Sequence, residues 1–133
     1  MNEIEKEYIN QCLFRANEDI DVINALSDNQ IELYTSTICF HCQQAVEKFL
    51  KAYLVYNRIE FPKTHDVDYL LNKCSSFEPK YFKDIDFKSL TDFGVDIRYP
   101  DDFYIPTIIE TEEYIQISLK IKHLVEKKIK INL

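Results

Sequence analysis

Residues 40–52 read FHCQQAVEKFLKA, and this stretch decides the fold class. Its apolar positions recur three and four residues apart, which is the spacing of one face of an α-helix. The same spacing continues outward on both sides of the stretch, through Ile31, Tyr34, Ile38, Cys42, Ala45, Phe49 and Tyr53. The period predicts a helix over about 31–57, roughly 40 Å long at 1.5 Å per residue.

Four further segments show helical periodicity, and the chain has few residues that make turns. It contains one glycine and four prolines, which favours a few long helices over many short strands. The fourth helix is expected to bury Phe82, Ile85, Leu90 and Phe93. The five predicted helices are 4–26, 31–57, 67–74, a fourth from Pro79 to just before Pro100, and 107–129. We therefore predict a single all-α domain over 1–133, an antiparallel bundle of four or five helices.

Composition and charge exclude several classes of protein. The acidic start of the chain lacks the apolar segment of a signal peptide, and no stretch approaches the apolar length of a membrane span. These features predict a cytoplasmic protein without membrane contact. The formal charge of −7 argues against avid, nonspecific nucleic-acid binding. The charge is uneven, because residues 1–32 carry eight acidic and two basic side chains, and residues 120–130 carry five lysines and Glu126.

The second predicted helix carries a polar stripe, which we define as His41, Gln44, Lys48 and Lys51. These residues are three, four and three apart, so they share about 80° of helix surface. Such a stripe can bind an anionic or amide-bearing ligand, or pack against a polar partner helix. The alternative is an ordinary solvated face, on which Glu47 and Lys51 form an i,i+4 ion pair.

The stretch 40–52 resembles the signature second helix of the HEPN family, in which Gln-Gln-Ala is followed by Glu-Lys and Leu-Lys-Ala. Pro62-Lys63-Thr64-His65-Asp66, followed by a leucine-rich helix, is similar to the next segment of that family. Arg98-Tyr99-Pro100-Asp101 is similar to its third landmark. The three landmarks occur in the family's order and span most of the chain.

The resemblance implies a helical bundle that dimerises and that is often encoded beside a minimal nucleotidyltransferase. Some HEPN proteins are metal-independent endoribonucleases that act as toxins in toxin–antitoxin pairs, and others bind nucleotides or partner proteins. The expected function is therefore a module that binds a nucleotide or an RNA phosphate, docks a nucleotidyltransferase, or does both. The expected ligand-binding residues are Arg98, Tyr99 and the polar stripe, that is His41, Gln44, Lys48 and Lys51.

The ribonuclease motif of the family is incomplete in this sequence. It requires an arginine, four to six further residues and then a histidine, and no histidine follows Arg98 at that distance. An endoribonuclease that combines Arg98 with His41 or His65 is the alternative function. Arg58 and His65 satisfy the count, but they lie in the loop after the second helix, which is not the usual place of the motif.

The Cys39-Phe40-His41-Cys42 segment offers a second kind of site. A Cys-x-x-Cys pair can supply two zinc ligands, whereas a closed zinc site needs four. The sequence contains no second pair, and reduced cysteines commonly pack in cores as small apolar residues. We therefore predict reduced cysteines, no metal and no cofactor.

Overall fold

A computed structural model describes residues 1–83, 85–86 and 104–129 of the chain. Every regular element in these ranges is helical, so the prediction of an all-α bundle is confirmed. A 3₁₀ turn at Ile31–Leu33 precedes the second helix. The α-helices are α1 Glu3–Ser27, α2 Thr35–Tyr56, α3 Val67–Phe77, α4 Pro79–Phe82 and α5 Ile108–Lys128.

Side-chain caps fix where three of the helices begin. Asn2 and Glu5 form a capping box at α1, in which each side chain accepts a hydrogen bond from the other residue's backbone N–H. Thr107 and Glu110 form the same motif at α5. Asp66 caps α3 by accepting from the backbone N–H of Tyr69, 3.1 Å away. These caps satisfy backbone donors that the first turn of a helix leaves free.

The second helix begins later than the periodicity predicts. Tyr34 has φ −131° and ψ 27°, which is outside the helical region, and α2 starts at Thr35. The apolar residues Ile31 and Leu33 belong to the 3₁₀ turn before it. Short 3₁₀ segments are common at helix termini, and apolar spacing alone does not distinguish them from a further α-helical turn.

The fourth helix is shorter than predicted. Pro79 occupies its first turn as expected, but Lys83 takes an extended conformation with ψ 155° and ends α4 at Phe82. Phe82 is buried, whereas Ile85 is half-buried and lies outside any helix. The prediction for Leu90 and Phe93 falls outside the described residues.

The long helix α2 lies at the centre of the molecule and packs against α1, α3 and α5. Thirteen of its 22 residues are buried, which leaves one narrow side for solvent. The antiparallel pairing of α1 with α2 is visible in two places: Asp19 contacts His41, and the charge of Lys51 lowers the pKa of the Cys12 thiol. On the other side, Cys39 contacts Thr111 and Cys42 contacts Ser118. The helix α5 therefore runs in the same direction as α2.

The apolar spacing of α1, which runs through Ile4, Tyr8, Cys12, Ala16, Ile20, Ile23 and Leu26, matches the buried face only in part. Its buried apolar residues are Ile9, Leu13, Ala16, Ile20 and Ile23. Ile4 and Tyr8, which continue the apolar spacing in the sequence, are exposed.

The end of the bundle near the last turn of α5 is held by a group that we call the Glu78 cluster, formed by Tyr53, Glu78, Tyr81 and Lys128. The Tyr53 hydroxyl donates to the Glu78 carboxylate, and the Lys128 ammonium lies 2.9 Å from it. Lys128 also sits over the ring of Tyr81, 4.6 Å from its centroid. These contacts join α2, α4 and α5.

The described part of the chain contains no helix long and apolar enough to cross a membrane.

Candidate functional site

The polar stripe of α2 is the solvent-facing side of this helix. His41, Gln44, Lys48 and Lys51 are all half-buried, whereas Glu47 and Gln43 beside them are buried. Each member of the stripe already has a hydrogen-bond partner within the protein. The stripe is therefore an ordered surface, not a set of freely solvated side chains.

One carboxylate from α1, Asp19, binds two of the four residues of the stripe, His41 and Lys48. Asp19 is only 7% exposed, and its two oxygens have different partners. Oδ1 lies 2.8 Å from Nδ1 of His41, and Oδ2 accepts from the Lys48 ammonium at 2.7 Å. A buried carboxylate is stable only when it is paired and hydrogen-bonded, and these two residues, seven positions apart on α2, supply both interactions.

A second buried carboxylate, Glu47, binds a third residue of the stripe, Lys51. It is 5% exposed and accepts from Lys51 at 2.9 Å. Its oxygens also lie 3.0 Å from Nδ1 of His65, and the side-chain amide of Gln43 donates to it at 3.1 Å. The same amide donates to the backbone oxygen of His65 at 3.0 Å. Glu47 and Gln43 therefore fasten the segment before α3 to the side of α2.

We call this surface the polar seam, defined by Asp19, Gln43, Glu47, His65 and the polar stripe. The seam lies between α1 on one side and the residue 65 segment on the other. Cys12 of α1 also faces it. Burial raises the pKa of the Cys12 thiol, while a hydrogen bond from Tyr8 and the positive charges of Lys51, Lys48 and Arg15 act to lower it.

The polar seam keeps unused donors on two lysines. A lysine ammonium has three N–H donors, and Lys48 and Lys51 each use one of them on a carboxylate. The charges of Lys48 and Lys51 balance those of Asp19 and Glu47. The seam therefore has no excess of acidic side chains, although the chain carries a net charge of −7. The arrangement suits an anionic group that approaches from solvent.

Asp19 also determines how His41 can act. Because Nδ1 faces the carboxylate, the Nε2 atom is the ring nitrogen left without a partner among the described residues. A carboxylate that accepts from one ring nitrogen fixes the tautomer and the orientation of a histidine. The His65 ring has the same arrangement on Glu47, but its side chain is 70% exposed.

The structure brings together most of the residues that the sequence predicted for the site. His41, Gln44, Lys48, Lys51 and His65 all belong to the polar seam. Arg98 and Tyr99 lie outside the described residues, so their placement as ligand-binding residues stays a prediction.

Arg58, which has the ribonuclease spacing to His65, lies elsewhere. It follows the end of α2 and lines a groove with Asn2 and Glu5, whereas His65 is bound to Glu47, about 13 Å back along the helix from Tyr56. Arg58 and His65 therefore contact different groups at different positions along α2.

Sequence reasoning missed the two residues that organise the seam, Asp19 and Gln43. Asp19 lies three residues after Ala16 and four before Ile23, so it falls on the buried side of α1. A carboxylate at a core position is the signal that could have revealed it, because such a group needs a charged partner. Gln43 lies within the family signature, but the spacing of polar residues does not indicate that it is buried.

The cysteines do not form a metal site within the described ranges. Cys39 and Cys42 are buried, and their sulfur atoms face Thr111 at 3.6 Å and Ser118 at 3.9 Å. Burial raises the pKa of Cys39 to about 11. In the part of the chain that the structure describes, no three His, Cys, Asp or Glu side chains come together as metal ligands.

Comparison with known proteins identifies the family. The family model for the HEPN domain matches residues 9–129, which includes every residue of the polar seam. No curated protein and no solved structure matches the chain significantly. Because the family model covers nearly the whole sequence, the chain belongs to the HEPN family.

Proposed function

We propose that this HEPN domain binds a phosphate group, carried by a nucleotide or by RNA, at the polar seam. The observation that supports the proposal is the pair of ammonium groups, Lys48 and Lys51, which keep unused N–H donors on a surface where each lysine charge is balanced by one carboxylate. Donors that are already oriented need little reordering when an anion binds, which favours affinity. Hydrogen bonds to a charged group are worth about 1.5–3 kcal/mol each.

In this proposal Arg98 and Tyr99 complete the ligand-binding set. An arginine presents a planar, permanently charged fork that suits a phosphate better than a lysine does. Gln44 adds a neutral amide beside the two lysines, with its nitrogen 2.9 Å from Gln43 Oε1. The amide oxygen of Gln44 can accept from a sugar hydroxyl or a base.

The test compares two double variants that leave the net charge unchanged. Asp19→Asn with Lys48→Met removes a charged pair from the polar seam, and Lys122→Met with Glu126→Gln removes the pair that joins α5 to Asn17. Replacing both partners of an ion pair is often close to neutral for stability. Binding of fluorescent ATP and of a labelled single-stranded RNA is measured for both. We expect the seam variant to lose about tenfold in affinity, or about 1.4 kcal/mol, and the α5 variant to bind normally. Equal behaviour of the two variants would show that the seam is not the site.

The orientation of His41 favours one alternative function, a metal-independent endoribonuclease. A histidine held by a carboxylate can exchange a proton at its free nitrogen near neutral pH. In this alternative His41 or His65 does the acid–base work and Arg98 stabilises the phosphate. Cleavage of single-stranded RNA in the presence of a chelator, by wild type and by His41→Asn, tests it. Wild-type activity that His41→Asn retains would remove His41 from the mechanism.

Two further expectations come from the family resemblance and stay predictions: a homodimer and a nucleotidyltransferase partner within a toxin–antitoxin-like pair. The cytoplasmic location, expected from the composition, also stays a prediction. The first is tested by sedimentation equilibrium at tens of micromolar. The second is tested by co-purification with the product of a neighbouring gene, if that gene encodes a nucleotidyltransferase.

A further inference from the structure

A second surface, remote from the polar stripe, runs along α1. We call it the outer face of α1 and define it by Glu3, Glu7, Phe14, Glu18 and Asp21. These residues share about 60° of helix surface and extend over about 27 Å, since each residue of a helix adds 1.5 Å. They line a groove of ≈ 970 Å³. The groove is long enough to hold a helical segment of another protein.

The outer face is acidic, and its charges are poorly compensated. Among the described residues, Glu18 and Asp21 have no ion-pair partner, and Glu7 receives only a neutral hydrogen bond from Gln11 at 3.3 Å. Glu3 lies 3.6 Å from Lys6 in an exposed pair, which binds weakly in water.

The basic residues of the groove do not cancel this charge. Four acidic side chains (Glu3, Glu7, Glu18 and Asp21) face two basic ones (Lys6 and Arg15), so the lining carries a net charge of −2. The face is therefore electrostatically complementary to a basic partner.

The same groove offers an apolar contact. Phe14 is 66% exposed in the middle of the acidic residues, where an apolar side chain gains nothing from solvent. An aromatic anchor surrounded by charges is the composition of a recognition surface more than of an ordinary solvated face.

We propose that the outer face of α1 docks a basic amphipathic helix of a different protein. A second copy of this chain is a poor occupant in a two-fold arrangement, because a two-fold axis brings the same patch of both subunits together. The acidic side chains of one copy would then lie near those of the other and repel. The partner helix lays apolar side chains on Phe14 and places lysine or arginine near Glu7, Glu18 and Asp21, as in other helix-in-groove interactions.

The experiment uses a fluorescent amphipathic peptide of leucine and lysine, about 18 residues long to match the groove. The docking variant is Glu7→Gln, Glu18→Gln, Asp21→Asn. The control variant is Glu32→Gln, Glu60→Gln, Glu112→Gln, which removes the same number of charges from exposed positions elsewhere. Anisotropy titrations give the affinities. We expect the docking variant to bind about tenfold more weakly, because three exposed ion pairs are lost, and the control to bind within about twofold of wild type.

Each outcome supports or overturns the proposal. Phe14→Ser is expected to lower the affinity for the peptide about fivefold, because an apolar contact is lost. Equal losses in the docking and control variants would mean unspecific attraction to an acidic protein and would overturn the proposal, as would normal binding by the docking variant. Sedimentation equilibrium tests whether the face binds a second copy of this chain instead. A docking variant whose association state differs from that of wild type would show that it does, and would overturn the proposal.

Discussion

The polar seam and the Glu78 cluster are built from the same kinds of residue but use them differently. Each places lysine beside carboxylate, at 2.7 and 2.9 Å in the seam and at 2.9 Å in the cluster. In the seam the carboxylates are buried and the bases lie on the solvent side. In the cluster the side chains of Lys128 and Glu78 are 41% and 28% exposed. The lysine lies over the ring of Tyr81, and the hydroxyls of Tyr53 and Tyr81 are both bonded internally.

This difference distinguishes a surface suited to ligands from a structural contact. The cluster bonds Glu78 and both tyrosine hydroxyls within the bundle and ties α2, α4 and α5 together. The seam groups two lysines and His41 around buried carboxylates and leaves the Nε2 atom of His41 without a partner among the described residues. An ion pair alone therefore does not indicate function, and the number of bases grouped on one surface is the informative property.

The largest expected effect is on the stability of the seam. Replacing Glu47 with Ala leaves the half-buried Lys51 and the buried amide of Gln43 without their shared acceptor. Breaking one side of a buried pair costs about 3–5 kcal/mol. Urea denaturation should show this loss of unfolding free energy for Glu47→Ala. The double variant Glu47→Gln with Lys51→Met should recover much of it. A loss below about 1 kcal/mol would place Glu47 with ordinary surface charges.

A variant of Arg98 tests whether this residue contacts the ligand or supports the fold. We expect Arg98→Ala to weaken nucleotide or RNA binding by about 1.5–3 kcal/mol, the scale of a charged hydrogen bond, with little change in Tm. Fluorescence titration and thermal melting measure the two quantities. Normal binding with a much lower Tm would mean that Arg98 has a structural role like that of Lys128, and the ligand site would have to be sought elsewhere.

The Glu78 cluster should respond to pH. Hydrogen bonds from Tyr53 and Lys128 hold the pKa of Glu78 below its usual 4.5, so folding favours the ionised carboxylate. This stabilisation is present above about pH 4.5 and is lost as the pH falls through the folded-state pKa. We expect Glu78→Gln to be about 1 kcal/mol less stable than wild type at pH 7. The difference should shrink towards pH 3 in urea titrations, and a difference that grows at low pH would contradict this account.

The smallest effect is expected at the exposed Lys6–Glu3 pair of α1, where the atoms are 3.6 Å apart. Lys6→Ala should change the unfolding free energy by less than about 0.5 kcal/mol, because solvent screens such pairs. The same urea protocol provides the baseline against which the seam and the cluster are compared. A loss as large as that of Glu47→Ala would erase the distinction.

Much of the fold could be predicted because apolar spacing and caps act locally. The α3 positions Val67, Leu70, Leu71 and Cys74 are buried as the spacing predicts. Errors arose where the same spacing permits two structures. Residues 31–33 form a 3₁₀ turn in apolar register with α2, and Ile85 keeps helical spacing after Lys83 has ended α4.

The candidate site was only half predictable, because its other half depends on contacts between helices. Spacing on α2 grouped His41, Gln44, Lys48 and Lys51, and the structure keeps them together. Their partner Asp19 is 22 residues before His41, and no local feature of the sequence indicates that the two side chains are in contact. The spacing of Glu47 and Lys51 predicts an ion pair on a solvated face. The pair exists, but burial changes it from a marginal surface contact into a fixed support.

The sharing of one carboxylate by His41 and Lys48 has a consequence for insertions and deletions. The two residues lie seven positions apart, close to two full helical turns, so both face Asp19. One residue inserted between them would rotate His41 by about 100° relative to Lys48. Because α2 is packed on both sides, the contacts before and after the insertion could not both be kept. Either Cys39 would lose its contact with Thr111, or Lys48 would lose its contact with Asp19. Within residues 35–56 the length of the chain is therefore constrained more strictly than its composition, whereas residues 57–64 can absorb an added residue outside the helix.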